Sequence, residues 1–123
     1  MKTRVGTDIV EISRIKENIE KYGNTFLKKI YTEKEIAYCE AKKLNKYESY
    51  AGRFAAKEAI YKAINTEINK TIEWKDIEII NRPSGKPIVN LNIESTNIDN
   101  IDISISHSKQ DAIAFAIVIF REK

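Results

Sequence analysis

The spacing of apolar residues along the chain changes once, near residue 74, and the predicted elements follow from that change. Val5 to Ile12 reads as an opening strand, in which Gly6 allows close backbone approach and Ser13 stands ready to cap a following helix. Ile12, Ile15, Ile19 and Tyr22 then recur at helical spacing, with Arg14, Glu17 and Lys21 turned outward, until Gly23 and Asn24 stop the helix. Thr32 and Glu35 in "TEKE" form a capping box that opens a second helix, which should carry Ile36 and Cys39 inward. A third and longer helix is predicted from Tyr47 to Ile64.

Beyond Trp74 the period becomes two. Ile77 and Ile79 alternate with charged residues, "NRPSGKP" supplies a Pro/Gly turn, and Val89, Leu91 and Ile93 alternate with Asn and Glu, which predicts a hairpin. Ile101, Ile103, Ile105 and His107 alternate with Asp102, Ser104, Ser106 and Ser108 in a further strand. The last segment, "AIAFAIVIF" from Ala112 to Phe120, is apolar on both faces, so both must be covered, either inside the sheet or against another subunit. A strand, then helices, then strands joined by short turns predicts an α+β fold with a mainly antiparallel sheet packed against the long central helix.

Composition adds bounds to this picture. At 123 residues, 42% apolar and 32% charged, the chain is expected to form a single domain, residues 1–123, around one core. No run of about 18 apolar residues exists, and "MKTRVGTDIV" lacks the apolar region of a signal peptide, so a cytoplasmic protein with no membrane association is expected. The lone Cys39 can form no internal disulfide and is read as a small core residue. Charge is uneven: residues 1–64 hold 14 Lys and Arg against 9 Asp and Glu, whereas the remainder holds 7 against 9. The first half is therefore the face for an anionic partner, and charge alone does not choose among nucleic acid, a phosphorylated cofactor and an acidic protein.

Candidate chemistry concentrates in "GRFAAKEAIYKA", Gly52 to Ala63. On a helix, Ala51, Ala55, Ala59 and Ala63 make a narrow face for close packing, while Arg53 and Lys57 stand one turn apart, as do Glu58 and Lys62. Two readings of these charges stand. They could hold phosphates through a metal ion, or Glu58 and Lys62 could be an exposed ion pair with Arg53 and Lys57 solvated. Asp8, flanked by apolar residues in the opening strand, needs a cation or backbone donors close by, whether a metal or a basic side chain. With Glu58 it would make a sparse oxygen site of the kind Mg2+ accepts. His107, the only histidine, suits a phosphate contact or proton transfer, and equally a structural hydrogen bond. Neither a nucleophile elbow nor a Walker loop nor a dinucleotide fingerprint occurs, and the Lys-rich patches lack an aromatic RNA-binding signature.

Three stretches, "VGTDIVEISRI", "GRFAAKEAIYKA" and "SISHS", resemble in order and spacing the signature segments of the holo-acyl-carrier-protein synthases, the short 4'-phosphopantetheinyl transferases. The resemblance covers the whole chain and departs from the family at Arg4, where many members have an additional Gly. It implies transfer of 4'-phosphopantetheine from coenzyme A to a serine of apo acyl carrier protein, in fatty acid biosynthesis, releasing adenosine 3',5'-bisphosphate. On that basis Asp8 and Glu58 would hold Mg2+ at the coenzyme A diphosphate, and Lys62 would neutralise the same diphosphate. Arg53 and His107 become candidates for the ribose 3'-phosphate, with Lys57 beside Arg53, and the "RPSGKP" turn with Gly85 and Pro87 a candidate adenine wall. Acyl carrier proteins are acidic, which makes Arg14, by similarity, and Lys21, Lys28 and Lys29, by charge, the candidate dock. Family members are homotrimers with sites between subunits, so a trimer is expected, and no nucleic acid. Two other classes remain from the residues themselves: a basic, non-catalytic binding module for nucleic acid or an acidic protein, and a Mg2+-dependent phosphohydrolase.

Overall fold

The chain runs β1 (Lys2–Glu11), α1 (Ile12–Tyr22), α2 (Asn24–Ile30), α3 (Glu33–Glu40), α4 (Lys46–Ile64), β2 (Ile77–Asn81), β3 (Pro87–Leu91), β4 (Ile98–His107) and β5 (Asp111–Phe120). The structure is a computed structural model and describes residues 1–94 and 96–122. The strands form two antiparallel sheets rather than one: β1-β5-β4, with β5 central, and the separate hairpin β2-β3. The expected α+β class and antiparallel pairing are both present, and α4 lies across β1 and β5 as the central helix.

What brings α4 onto the sheet is the size of its side chains. Ala51, Ala55, Ala59 and Ala63 are all buried, as the four-residue spacing predicts. On the facing strand the complement is Gly6, where a Cβ would come within 1.9 Å of the Ala59 carbonyl oxygen. Helix backbone and strand backbone thus meet directly, and Gly6 is required for the approach rather than for its dihedral freedom. From β5, Ala112, Ala114, Ala116 and Val118 enter the same layer, again mostly small.

Because strand side chains alternate, the opposite face of β5 presents Ile113, Phe115 and Ile117, which are 45%, 43% and 37% exposed. The register sets Ile9 opposite Ile113 and Val5 opposite Ile117, so two further exposed apolar residues extend the same patch. Only one of the two faces of β5 is therefore covered within this chain.

Several local expectations need correction. Ser13 does not cap α1: the helix begins at Ile12, whose N–H donates to the Gln110 carbonyl at 2.8 Å, so the β4–β5 turn supplies the acceptor instead. Tyr22 is half exposed rather than buried. Gly23, at φ 55°, does end α1, but α2 starts at once, too short at 7 residues to announce itself by periodicity. The Thr32–Glu35 capping box is present, yet Glu35 is the buried residue and Ile36 is only half buried.

Glu35 goes inward because Lys57 does. Lys57 is 1% exposed and does not stand in solvent beside Arg53 as a phosphate contact; its ammonium lies 2.8 Å from Glu35 Oε1 and donates to the carbonyls of Trp74 and Ile77. Burial outweighs the attraction of Glu35 and holds the Lys57 ammonium below its ordinary pKa. Glu35 Oε2 accepts from the Ile79 N–H at 2.8 Å, so the pair ties α3, α4 and β2 together with every strong donor and acceptor engaged.

Two stability predictions follow from these contacts. Gly6→Ala, which sets a methyl against the Ala59 carbonyl, should lose on the order of 3 kcal/mol in urea unfolding, and an unchanged midpoint would mean that α4 can back away freely. Lys57→Met should lose about 3 kcal/mol by leaving Glu35 buried and unpaired, with much of that recovered when Glu35→Gln is added; additive losses would show that the two groups are not coupled.

Candidate active site

Asp8 sits on β1 two residues beyond Gly6, opposite Ala114, so the close approach that brings Ala59 to Gly6 also brings the adjoining turn of α4 to Asp8. That turn carries Glu58 and Lys62. Lys62 does not pair with Glu58 one turn below it, the simplest exposed arrangement. Its ammonium crosses to β1, donating to the Thr7 carbonyl at 3.0 Å and to Asp8 Oδ1 at 3.1 Å. Asp8 and Glu58 line one cleft of about 390 Å³ with Arg14 and Asn18 of α1 and the rings of Phe26 and Phe54. Burial raises the pKa of Glu58, the Asp8 charge raises it further, and Lys62 opposes both.

Among the described residues no cluster of three or more His, Cys, Asp or Glu is placed to hold a metal by itself. Two carboxylates sharing a cleft still fit Mg2+, which takes one or two protein carboxylates and completes its octahedron with water and phosphate oxygens. Like charge between Asp8 and Glu58 is the electrostatic mark of such a set, because a bound cation relieves it. The donor set therefore suits a hard cation that arrives with, or awaits, a phosphorylated ligand.

A second cleft, of about 490 Å³, opens from the preceding turn of α4. It gathers Arg53, His107, Gly85 and Pro87, four of the residues expected to contact a cofactor, together with Tyr38 and Lys42, which the sequence reading missed. Arg53 is buried, with Nη1 3.3 Å from Ser49 Oγ and Nη2 donating to Asn81 Oδ1. Its guanidinium lies 4.0 Å from the centroid of the Tyr38 ring, and Lys42 lies over the same ring at 4.7 Å. Arg53 Nε is buried and has no hydrogen-bond partner among the described residues. Asn81 also donates to the Gly85 carbonyl at 2.8 Å, so Arg53 holds the hairpin turn to the helix. Gly85, at φ 94°, occupies a position that only glycine takes without strain. His107 ends β4 on the exposed rim, its Nδ1 3.3 Å from the Ser108 carbonyl.

The docking candidates divide. Arg14 lines the carboxylate cleft, whereas Lys21, Lys28 and Lys29 are exposed on α1 and α2 outside its lining. Tyr38 on α3, Lys42 in the turn that follows it and Asn81 at the end of β2 escaped notice because only the packing of α3 and β2 on α4 brings them to one cleft with Arg53. Phe54 carried a faint signal as the one phenylalanine of α4; it stacks on Trp74 at 5.0 Å between centroids.

Residues 4–118 match the 4'-phosphopantetheinyl transferase superfamily. The holo-[acyl-carrier-protein] synthase of Ruminiclostridium cellulolyticum is 44% identical over 124 residues, spanning 96% of this chain and 92% of that protein. Among solved structures, the holo-[acyl-carrier-protein] synthase of Helicobacter pylori in complex with coenzyme A superposes with a TM-score of 0.82 at 36% identity, over 94% of this chain and 99% of that one. The Bacillus anthracis synthase in complex with coenzyme A (3',5'-ADP) gives 0.77 at 40% identity, over 94% of both chains. With a carboxylate pair and a cation-lined cleft on adjoining turns of α4, and relatives matched over nearly their full length, this chain belongs to the holo-acyl-carrier-protein synthases of the 4'-phosphopantetheinyl transferase superfamily.

Proposed function

We propose that the protein transfers 4'-phosphopantetheine from coenzyme A to a serine hydroxyl of apo acyl carrier protein, releasing adenosine 3',5'-bisphosphate. The observation that carries this reading is the adjacency on α4 of a carboxylate cleft, Asp8 and Glu58, and a second cleft that holds the cations Arg53 and Lys42 with His107 on its rim. A nucleotide with a 3'-phosphate at one end and a diphosphate toward the other matches that division of charge. Arg53 and Lys42 would neutralise the 3'-phosphate, and the turn at Gly85 and Pro87 would wall the adenine. Asp8 and Glu58 would hold Mg2+, which when bound offsets negative charge building on the diphosphate during transfer. Lys62 supplies a further positive charge on the same side. The serine Oγ forms the new bond to the β-phosphorus as the bond to the departing bisphosphate breaks, and the serine proton is released. Since that nucleophile belongs to the partner, this chain needs none of its own.

Arg14 stands at the mouth of the carboxylate cleft, where an acidic carrier protein presenting its serine would meet it, with Lys21, Lys28 and Lys29 further along the same two helices. We also propose that the uncovered apolar face of β1 and β5 is where three copies of this single-domain chain meet, placing each site at a subunit boundary. A ladder of Val5, Ile9, Ile113, Phe115 and Ile117 is larger and more contiguous than isolated surface hydrophobics. No helix among the described residues is long and apolar enough to cross a membrane.

Intact-mass spectrometry tests the activity. Incubated with coenzyme A and Mg2+, apo acyl carrier protein should gain about 340 Da, the mass of the phosphopantetheine group. EDTA should abolish the gain, and Glu58→Gln should reduce it at least about a hundredfold while leaving the fold intact. Consumption of coenzyme A without carrier protein would favour a hydrolase, and no consumption at all a binding module. For the assembly, sedimentation should give three times the 14.2 kDa chain mass, and Phe115→Glu should convert it to monomer; a monomeric wild type would remove the trimer.

A further inference from the structure

We infer that Lys62 is the resident cation of the metal-free site, so that a divalent ion must displace it from Asp8 in order to bind. This rests on the assignment of Asp8 and Glu58 as the metal carboxylates. The geometry that points to it is the choice Lys62 makes between two carboxylates. Glu58 lies four residues before it on α4, the spacing at which helical ion pairs form, yet the ammonium reaches across to β1 and lies 3.1 Å from Asp8 Oδ1. It takes the Thr7 carbonyl as well, at 3.0 Å, so one ammonium occupies two adjacent oxygens on the strand side of the cleft.

A hard divalent ion seeks the same oxygen. Asp8, Glu58 and Lys62 together carry one net negative charge, a weak attraction for Mg2+, and the ammonium beside Asp8 repels the incoming ion at short range. The Lys62 side chain is 51% exposed and that of Asp8 only 17%, so the lysine is the partner able to move. Displacement breaks no buried contact. It does leave an ammonium in search of an anion, and a diphosphate arriving in the cleft provides one. Metal and coenzyme A should therefore bind cooperatively, each relieving a cost the other would meet alone.

Mn2+ binding followed by electron paramagnetic resonance tests this without reference to turnover. Lys62→Met removes the competing ammonium and should bind Mn2+ alone on the order of tenfold more tightly than wild type, as expected for removing one unit charge a few ångströms from a divalent ion. Lys62→Arg, which keeps the charge, should stay within about twofold of wild type. Adding coenzyme A should tighten Mn2+ binding more in wild type than in Lys62→Met. If Lys62→Met binds Mn2+ no more tightly than wild type, Lys62 is not a competitor, whatever the metal site. If Asp8→Asn binds Mn2+ as well as wild type does, the metal assignment itself fails, and the role of Lys62 falls with it.

Discussion

Everything in the active region depends on one backbone contact, the approach of α4 to β1 at Gly6. A single Cβ there would overlap the Ala59 carbonyl, so the helix axis would have to withdraw from the strand. Asp8 lies on β1, and Glu58 and Lys62 lie on α4, so the separation of strand and helix is also the separation of the charges that face one another across them. Stability and chemistry share this constraint. The alanine layer contributes little apolar area per residue, but it sets the distance at which a lysine on the helix reaches a carboxylate on the strand.

Helix α4 resolves its four charges in two directions. Arg53 and Lys57 are drawn into the protein: Arg53 is held by Ser49 of its own helix, by Asn81 and by the Tyr38 ring, with Nε left unpartnered among the described residues, and Lys57 is held by Glu35 and two carbonyls. Glu58 and Lys62 remain at the cleft. The inward cations fix the hairpin β2-β3 and α3 against α4, and those elements furnish walls of the second cleft. An ion pair inside the core is weak as a source of net stability, since desolvation offsets most of its attraction. Its use here is positional: it selects one arrangement of α3, α4 and β2.

The sheet shows the same economy. β5 is central and apolar from Ala112 onward, but α4 covers only one of its faces. A 123-residue chain has one core to offer, and the alanine layer has spent it on α4. The other face, with its aromatic and β-branched residues, has the character of a surface made for association. One alternation divides the strand: even positions of β5 meet α4, and the odd positions Ile113, Phe115 and Ile117 point away from it.

How much of this was legible beforehand depends on whether the signal was local. Periodicity gave the long helix to within one residue of its start, the hairpin, the last two strands and the alanine face, because each is a repeat within one segment. Asp8 was visible as a carboxylate in an apolar strand, and Glu58 and Lys62 as charges on a helix that otherwise packs. The capping box of Thr32 was legible too, whereas the burial of its Glu35 was not, since that depends on Lys57 arriving from another helix. The inward turn of Lys57 and Arg53, the bond from Lys62 to Asp8 instead of Glu58, and the union of Tyr38, Lys42 and Asn81 at one cleft were decided by tertiary structure alone. Sequence by itself determined which groups are present and on which elements; it did not determine which pairs of charges meet, because a charge's partner is chosen across space by distance and desolvation, and neither is written in local spacing.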